Sequence, residues 1–148
     1  MLLERGVLTP FSFPVRVYYE DTDRGGVVYY ANYLRFFERA RTEWLRSLGV
    51  DQERLADKDG IGFVVVRAET DFKLGARLDD LLEVTVLPIE RKRSYFWLAQ
   101  EARLADGRVC AAARVQVACV SQPDMRPRPI PGTLAEKLAQ TIAARIMA

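Results

Sequence analysis

Two carboxylates stand one residue apart in Glu20–Gly26, EDTDRGG. Asp21 and Asp23 therefore sit in a polar, glycine-containing stretch of the composition that forms loops. The loop runs through VVYYA into the longest helical pattern of the chain. The first turn of such a helix presents unpaired N–H groups and the positive end of the helix dipole. A carbonyl oxygen or an anion binds well there. A carboxylate beside a polarised carbonyl can attack it or activate water. Gly25 and Gly26 let backbone approach a ligand. Tyr18, Tyr19, Tyr29, Tyr30 and Tyr33, five of the six tyrosines, crowd the same segment and are enough to line a pocket. The same residues also fit a plain turn followed by aromatic core positions, and spacing alone leaves both readings open.

The 148 residues contain no histidine. That excludes a Ser-His-Asp or Cys-His centre, a His-ligated zinc or haem, and a histidine general base. Chemistry falls to carboxylates, Tyr, Lys, Cys, backbone dipoles or a cofactor. Glu90-Arg91-Lys92-Arg93-Ser94 places three cations at an expected hairpin corner, where Arg can hold phosphate in bidentate fashion. A solvated charged turn is the plainer reading. RNA binding is disfavoured, because no stacking aromatics interleave with a broad basic surface. Asp79-Asp80 has no further oxygen ligands beside it for a metal; it reads as a loop capping the next strand, with Arg77 as a partner. Cys110 and Cys119 lie nine apart in one expected strand. Odd spacing puts them on opposite faces, unpaired and packed, and isolated thiols suit a reducing cytoplasm.

These groups need elements to hold them. Val15–Tyr19 reads as a strand. Tyr33–Leu48 reads as a helix: Tyr33, Phe36, Phe37, Ala40, Trp44 and Leu48 make one apolar stripe, with Arg35, Arg39, Glu43 and Arg46 opposite. Asn32 is the expected N-cap and Gly49 the expected C′ residue. Gly62–Lys73 alternates, with Val64, Val66, Ala68, Thr70 and Phe72 on one face and Val65, Arg67, Glu69, Asp71 and Lys73 on the other. Strands follow at Leu82–Ile89, Ser94–Leu104 and Arg108–Val120. Pro88 marks an edge or bulge, and Asp106-Gly107 a hairpin turn. RPRPIP, Arg126–Pro131, suits neither a central strand nor a helix interior. Thr133–Met147 closes as an amphipathic helix. Strands clustering after one early helix predict an α+β domain with an antiparallel sheet packed on that helix. The other sheet face, with Arg67, Glu69, Gln100 or Glu101, and Arg114, must meet solvent or another subunit.

Length fits one domain over 1–148, with a core over about 15–131 and a terminal helix over 133–147. Net charge is +2, from 22 basic and 20 acidic residues, which argues against a nucleic-acid-coating protein. Residues 1–10, MLLERGVLTP, interrupt any apolar leader core with Glu4, Arg5 and Gly6. No run approaches a membrane span.

YEDTDRGGVVYYANYLRFFERARTEWLRSLG, Tyr19–Gly49, resembles the signature of the hotdog-fold acyl-CoA thioesterases, specifically the YbgC and 4-hydroxybenzoyl-CoA thioesterase family. ARLDDLLEV, Ala76–Val84, and RPRPIP extend the resemblance over Val15–Pro131. It implies a five-stranded antiparallel sheet wrapped around the central helix. It implies dimers or homotetramers with active sites between subunits. It makes Asp23 the catalytic carboxylate, as nucleophile or general base towards a thioester carbonyl, with backbone N–H near Tyr30 and Ala31 holding the carbonyl oxygen. Gly26, Tyr29, Tyr33 and Glu38 then line the substrate pocket, and Arg91, Lys92 and Arg93 meet the CoA phosphates. A related hotdog group uses a helix Glu, which makes Glu38 a reserve carboxylate; its plainer role is a partner for Arg41. No metal or redox cofactor is implied, acyl-CoA being the substrate and acyl carrier protein an alternative partner.

Two positions depart from the family pattern. Tyr30 stands where many YbgC-type sequences have His, and as a 4-hydroxybenzoyl-CoA thioesterase would have it, which leans towards an aromatic acyl group. Arg24 follows Asp23 where a small residue or Pro is usual; a cation there favours the ionised carboxylate and weakens it as a nucleophile. Arg24 favours the alternative reading, a non-catalytic hotdog protein binding acyl-CoA or acyl carrier protein and associated with the Tol-Pal envelope system. Hotdog dehydratases are disfavoured, since their sites use His.

Overall fold

Heptad-like spacing of large apolar groups needs a surface to meet, and the long helix finds one. In the computed structural model, which describes residues 9–147, α1 spans Asn32–Ser47. Tyr33, Phe36, Phe37, Ala40 and Trp44 are all buried beneath it. Phe36 and Phe37 are fully enclosed, each stabilising the fold by about 1.5–3 kcal/mol relative to exposure. The helix ends as expected: Gly49 takes φ +81°, and its N–H bonds the Arg46 carbonyl at 2.9 Å. Lys137 Nζ donates to the Leu48 carbonyl at 2.6 Å, setting a cation at the negative end of the helix.

The sheet has five antiparallel strands: β1 (Phe11–Arg16), β2 (Ile61–Phe72), β3 (Leu81–Arg91), β4 (Tyr95–Arg103) and β5 (Val109–Ser121). Their spatial order is β1-β3-β4-β5-β2. Helix α1 packs over β3, β1 and β4. A second helix, α2 (Gln52–Asp59), and a third, α3 (Gly132–Met147), complete the α+β domain. Leu134 and Leu138 bury α3 against β3. Residues 1–8, where the absence of a leader was read, lie outside the described residues.

Several expectations shift. The first strand is Phe11–Arg16 rather than Val15–Tyr19, because Asp21 Oδ2 takes the Tyr18 N–H at 2.7 Å and draws Tyr19–Asp21 into a 3₁₀ turn. Pro14 is tolerated because β1 is an edge strand, with Pro14 exposed. Helix α2 was not anticipated; it buries no residue, so it carries no apolar stripe to read. In β2 the register slips between Val65 and Arg67. This bulge moves Phe63 and Val65 onto the same face as Ala68, Thr70 and Phe72, where strict alternation had put Val65 opposite. A second bulge, where Ala102 pairs Ala111 but Arg103 pairs Val109, turns Cys110 inward. Cys110 and Cys119 are therefore both buried and both free, rather than on opposite faces. Pro88 does coincide with a register shift, between Pro88 and Glu90.

Gln100 faces the core and Glu101 the outer surface. That outer face carries an ion-pair chain, Arg67–Glu69 at 3.0 Å and Arg114–Glu69 at 3.8 Å, with Arg114 stacked 5.0 Å above Trp97.

Candidate active site

The two aspartates have different surroundings. Asp21 is 8% exposed, and its carboxylate holds the Tyr18 N–H. Its carbonyl accepts the Tyr29 N–H at 2.9 Å and Asn32 Nδ2–H at 3.0 Å. Asp21 thus fastens the loop to the start of α1. Asp23 is exposed. Its backbone closes a tight turn, N–H to Val27 carbonyl at 2.9 Å and carbonyl from Gly26 N–H at 3.0 Å. Oδ1 accepts the Gly25 N–H at 2.8 Å, which tethers the carboxylate and leaves Oδ2 with no hydrogen-bond donor among the described residues. Two residues from Asp21, Asp23 stays within roughly 7 Å of that anchor.

Glycine suits this turn at both positions. A Cβ on Gly25 would stand 3.1 Å from Asp23 Oδ1, and Gly26 takes φ +79°. Arg24 is exposed and forms no ion pair with Asp23 among the described residues.

The helix start is open. Asn32 is not the N-cap: Ala31 before it is already helical, at φ −64° and ψ −23°, and no side chain caps the helix. An N-cap needs extended backbone, so Asn32 falls inside the first turn and its amide goes to Asp21 instead. The N–H groups of Asn32, Tyr33 and Leu34 bond back to Tyr29, Tyr30 and Ala31. Those of Tyr30 and Ala31 find no acceptor among the described residues. They are the two donors that the family resemblance implies for the carbonyl oxygen.

Aromatic rings form one wall. Tyr30, 59% exposed, meets Phe72 edge-on at 5.4 Å and Tyr29 at 5.1 Å. Tyr33 lies beneath rather than in the pocket mouth: it is buried, and its hydroxyl accepts the Ala76 N–H at 3.1 Å. Burial pushes the Tyr33 phenol above its ordinary pKa, partly offset by the Ala76 N–H. Burial likewise raises the Cys110 and Cys119 thiols, so neither is an activated thiolate.

The segment between β2 and β3 forms the other wall, and sequence reasoning underused it. Gly75 is there because Val27 packs on it; a Cβ would stand 2.7 Å from Val27 Cγ1. Asp80 Oδ2 takes the Arg77 backbone N–H at 2.8 Å. The Arg77 guanidinium lies instead against the Asp23 loop, 3.5 Å from where a Gly26 Cβ would be. The ARLDD motif was the signal; its partner loop lies some fifty residues upstream.

Glu38 and the basic hairpin lie elsewhere. Glu38 is six residues along α1 from Asn32, roughly 9 Å from the helix start. Its carboxylate accepts the Thr42 hydroxyl at 2.6 Å and makes no ion pair with Arg41 among the described residues. Arg91, Lys92 and Arg93 turn from β3 into β4. β1 pairs the start of β3, Arg16 with Leu81, so Asp23 sits near that start. The hairpin is at the other end of an 11-residue strand, roughly 33 Å away. One chain does not bring these cations to its own Asp23.

A five-stranded antiparallel sheet holding one long helix, with a carboxylate loop fastened to that helix's open start, defines the hotdog class of α+β proteins. The model of the thioesterase-like superfamily matches residues 17–138. The acyl-CoA thioesterase YbgC of Haemophilus influenzae is 47% identical over 121 residues, covering 82% of this chain and 88% of that one. The 1,4-dihydroxy-2-naphthoyl-CoA hydrolase of Thermosynechococcus vestitus is 34% identical over 118 residues, 80% of this chain and 81% of its own. The solved gentisyl-coenzyme A thioesterase BH1999 superposes with a TM-score of 0.77 at 28% identity, covering 84% of this chain and 98% of that one. The chain belongs to the thioesterase-like superfamily and, within it, to the YbgC-type acyl-CoA thioesterases.

Proposed function

We propose that the protein hydrolyses an acyl-CoA thioester to the free acid and CoA, with Asp23 as the reacting carboxylate. The observation that carries this is the pairing of a tethered, exposed Asp23 with the unoccupied N–H groups of Tyr30 and Ala31. These donors stabilise negative charge developing on the thioester oxygen. Two balanced routes fit. In one, Asp23 Oδ2 adds to the carbonyl carbon and expels CoA thiolate; water then cleaves the mixed anhydride, leaving the acid, and its proton goes to the thiolate. In the other, Asp23 takes a proton from water as the oxygen adds to the carbon, and that proton leaves with CoA. Single turnover in ¹⁸O-water separates them, since only the anhydride route can leave label in the Asp23 carboxylate.

Tyr29, Tyr30 and Phe72 suit a flat or short acyl group, and the naphthoyl and gentisyl names of two relatives support an aromatic one. The separation of the hairpin from Asp23 supports a homo-oligomer, dimer or tetramer, in which a second copy brings Arg91, Lys92 and Arg93 to the CoA phosphates. Acyl carrier protein would present the same thioester without those phosphates. Two buried free thiols suit a reducing cytoplasm; among the described residues no helix is long and apolar enough to cross a membrane.

The test is free-thiol release from acetyl, butyryl, hexanoyl, palmitoyl, benzoyl and 4-hydroxybenzoyl thioesters of CoA, for wild type and Asp23→Asn together. Turnover of one class that vanishes in the variant supports the reading. No turnover of any member, with CoA still bound, refutes it in favour of a carrier or scaffold.

A further inference from the structure

Helix α1 sits off-centre on the sheet, over β3, β1 and β4. Its flank faces the inner side of β5 and β2 across a cleft of about 160 Å³, a volume comparable to the ~150 Å³ that accommodates a benzene ring. Phe63, Val65, Phe96 and Leu98 make its apolar floor, and Arg41, Glu38 and Thr42 its helical side. Val65 reaches this floor only because of the bulge in β2.

Arg41 is the unusual group. Its Nη1 donates to Gln100 Oε1 at 2.9 Å. Gln100 is 1% exposed, and its Nε2 donates to the Phe37 carbonyl at 3.1 Å and the Thr85 carbonyl at 3.3 Å. That amide has no freedom to turn, so it aims the guanidinium. No carboxylate lies within 4.0 Å of Arg41 among the described residues. The nearest acid, Glu38, is exposed and engaged by Thr42. Burial lowers the Arg41 pKa, and the field of Glu38 only opposes this. Arginine stays charged regardless. Arg41 is half-buried, has one neutral acceptor, and presents its remaining N–H groups to the cleft, where an anion can take them in bidentate fashion.

The inner face of β2 leads from this cation towards the helix start, since Thr70 and Gln100 flank the same residue of β5, Ala113. Tyr30 meets Phe72 at the helix start. Thr70, two residues back and so on the same face of β2, has a buried hydroxyl with no partner. Arg41 is nine residues along α1 from Asn32, roughly 13 Å by helical rise.

We propose that this cleft receives the far end of the acyl group and that Arg41 binds a carboxylate there, so that the preferred substrates are CoA thioesters of acids bearing a second, terminal carboxylate. The inference rests on Asp23 and the helix start being the thioester site. It is tested without turnover, by calorimetry with hydrolysis-resistant thioethers of CoA. Chains of six, eight and ten carbons are compared, each ending in methyl or in carboxylate. At one length the carboxylate member binds about 10–100-fold tighter, the range of a hydrogen-bonded charge pair. R41M brings that ratio to about one, and R41K keeps part of it. A ratio near one at every length in wild type overturns the proposal, whether or not the variants fold. So does an R41M protein that loses both ligands equally and changes its size on gel filtration, since Arg41 would then pair with a second copy. If octanoyl-CoA and suberoyl-CoA are both inert while the binding ratio holds, the hydrolase reading fails and the carboxylate site stands.

Discussion

Asp21 and Asp23 are separated by one residue, and replacing them should produce opposite phenotypes. Asp21→Ala removes the acceptor of a 2.7 Å bond from the Tyr18 N–H, at a position 8% exposed. A bond to a charged acceptor contributes about 1.5–3 kcal/mol, and the orphaned N–H adds its own desolvation. For a chain of this size each kcal/mol moves Tm by about 2–4 °C, so Tm should fall by roughly 3–12 °C. Asp23→Asn keeps an oxygen to accept the Gly25 N–H, whose bond is 2.8 Å. At an exposed position Tm should stay within about 2 °C, while thiol release drops by roughly 10²–10⁴-fold, the range for a catalytic acid–base group. Differential scanning calorimetry and thiol release on the same preparations decide it. If Asp21→Ala melts with wild type yet is inactive, or Asp23→Asn turns over within tenfold of wild type, the assigned roles are wrong.

Asn32→Ala should lower kcat several-fold with little change in Tm, because Asp21's carbonyl keeps the Tyr29 N–H and Ala gains about 0.5 kcal/mol of helix propensity; an equal effect on both would make Asn32 merely structural. Gly75→Ala should cost about 1–3 kcal/mol by overpacking, since its Cβ would lie 2.7 Å from Val27 Cγ1, and Val27→Ala in the same chain should recover most of it in calorimetry. Arg91→Ala with Arg93→Ala should raise KM for acyl-CoA and leave KM for an N-acetylcysteamine thioester, which lacks the nucleotide; equal rises would remove the phosphate assignment. Tyr33, Cys110 and Cys119 have folded pKa values raised by burial, so their neutral forms favour the fold below the unfolded values. That stability is lost as pH rises from ~8.5 through the raised values, and Tm measured against pH should fall across this window, less steeply in Cys110→Ala.

The legible parts of the fold were those with strong local periodicity. The stripe from Tyr33 to Trp44 placed α1 to within one residue at each end, because five buried side chains repeat there at helical spacing. Helix α2 buries none of its residues and left no such pattern. The faces of β2 were misread because one extra residue at the bulge reverses a period-two pattern without any local mark in VVVR. At the site, spacing could propose a carboxylate loop but could not rank Asp21 against Asp23; the resemblance named Asp23, which is the exposed member of the pair. Arg77 and Arg41 were not singled out for any ligand because their neighbours are remote in sequence. The Arg41–Gln100 bond joins residues 59 apart, a relation that no single-sequence pattern encodes.

The bare start of α1 also bears on how the protein will behave when loaded. A helix without a side-chain cap forgoes about 0.5–2 kcal/mol, and here the chain leaves that vacancy at its most buried helix. A thioester oxygen, or a product carboxylate, would serve as the missing cap. Occupancy then stabilises the folded state as the logarithm of ligand concentration over Kd. Cells rich in substrate would hold a tougher, more protease-resistant enzyme than starved ones, with the resting fraction drawn first into turnover by degradation.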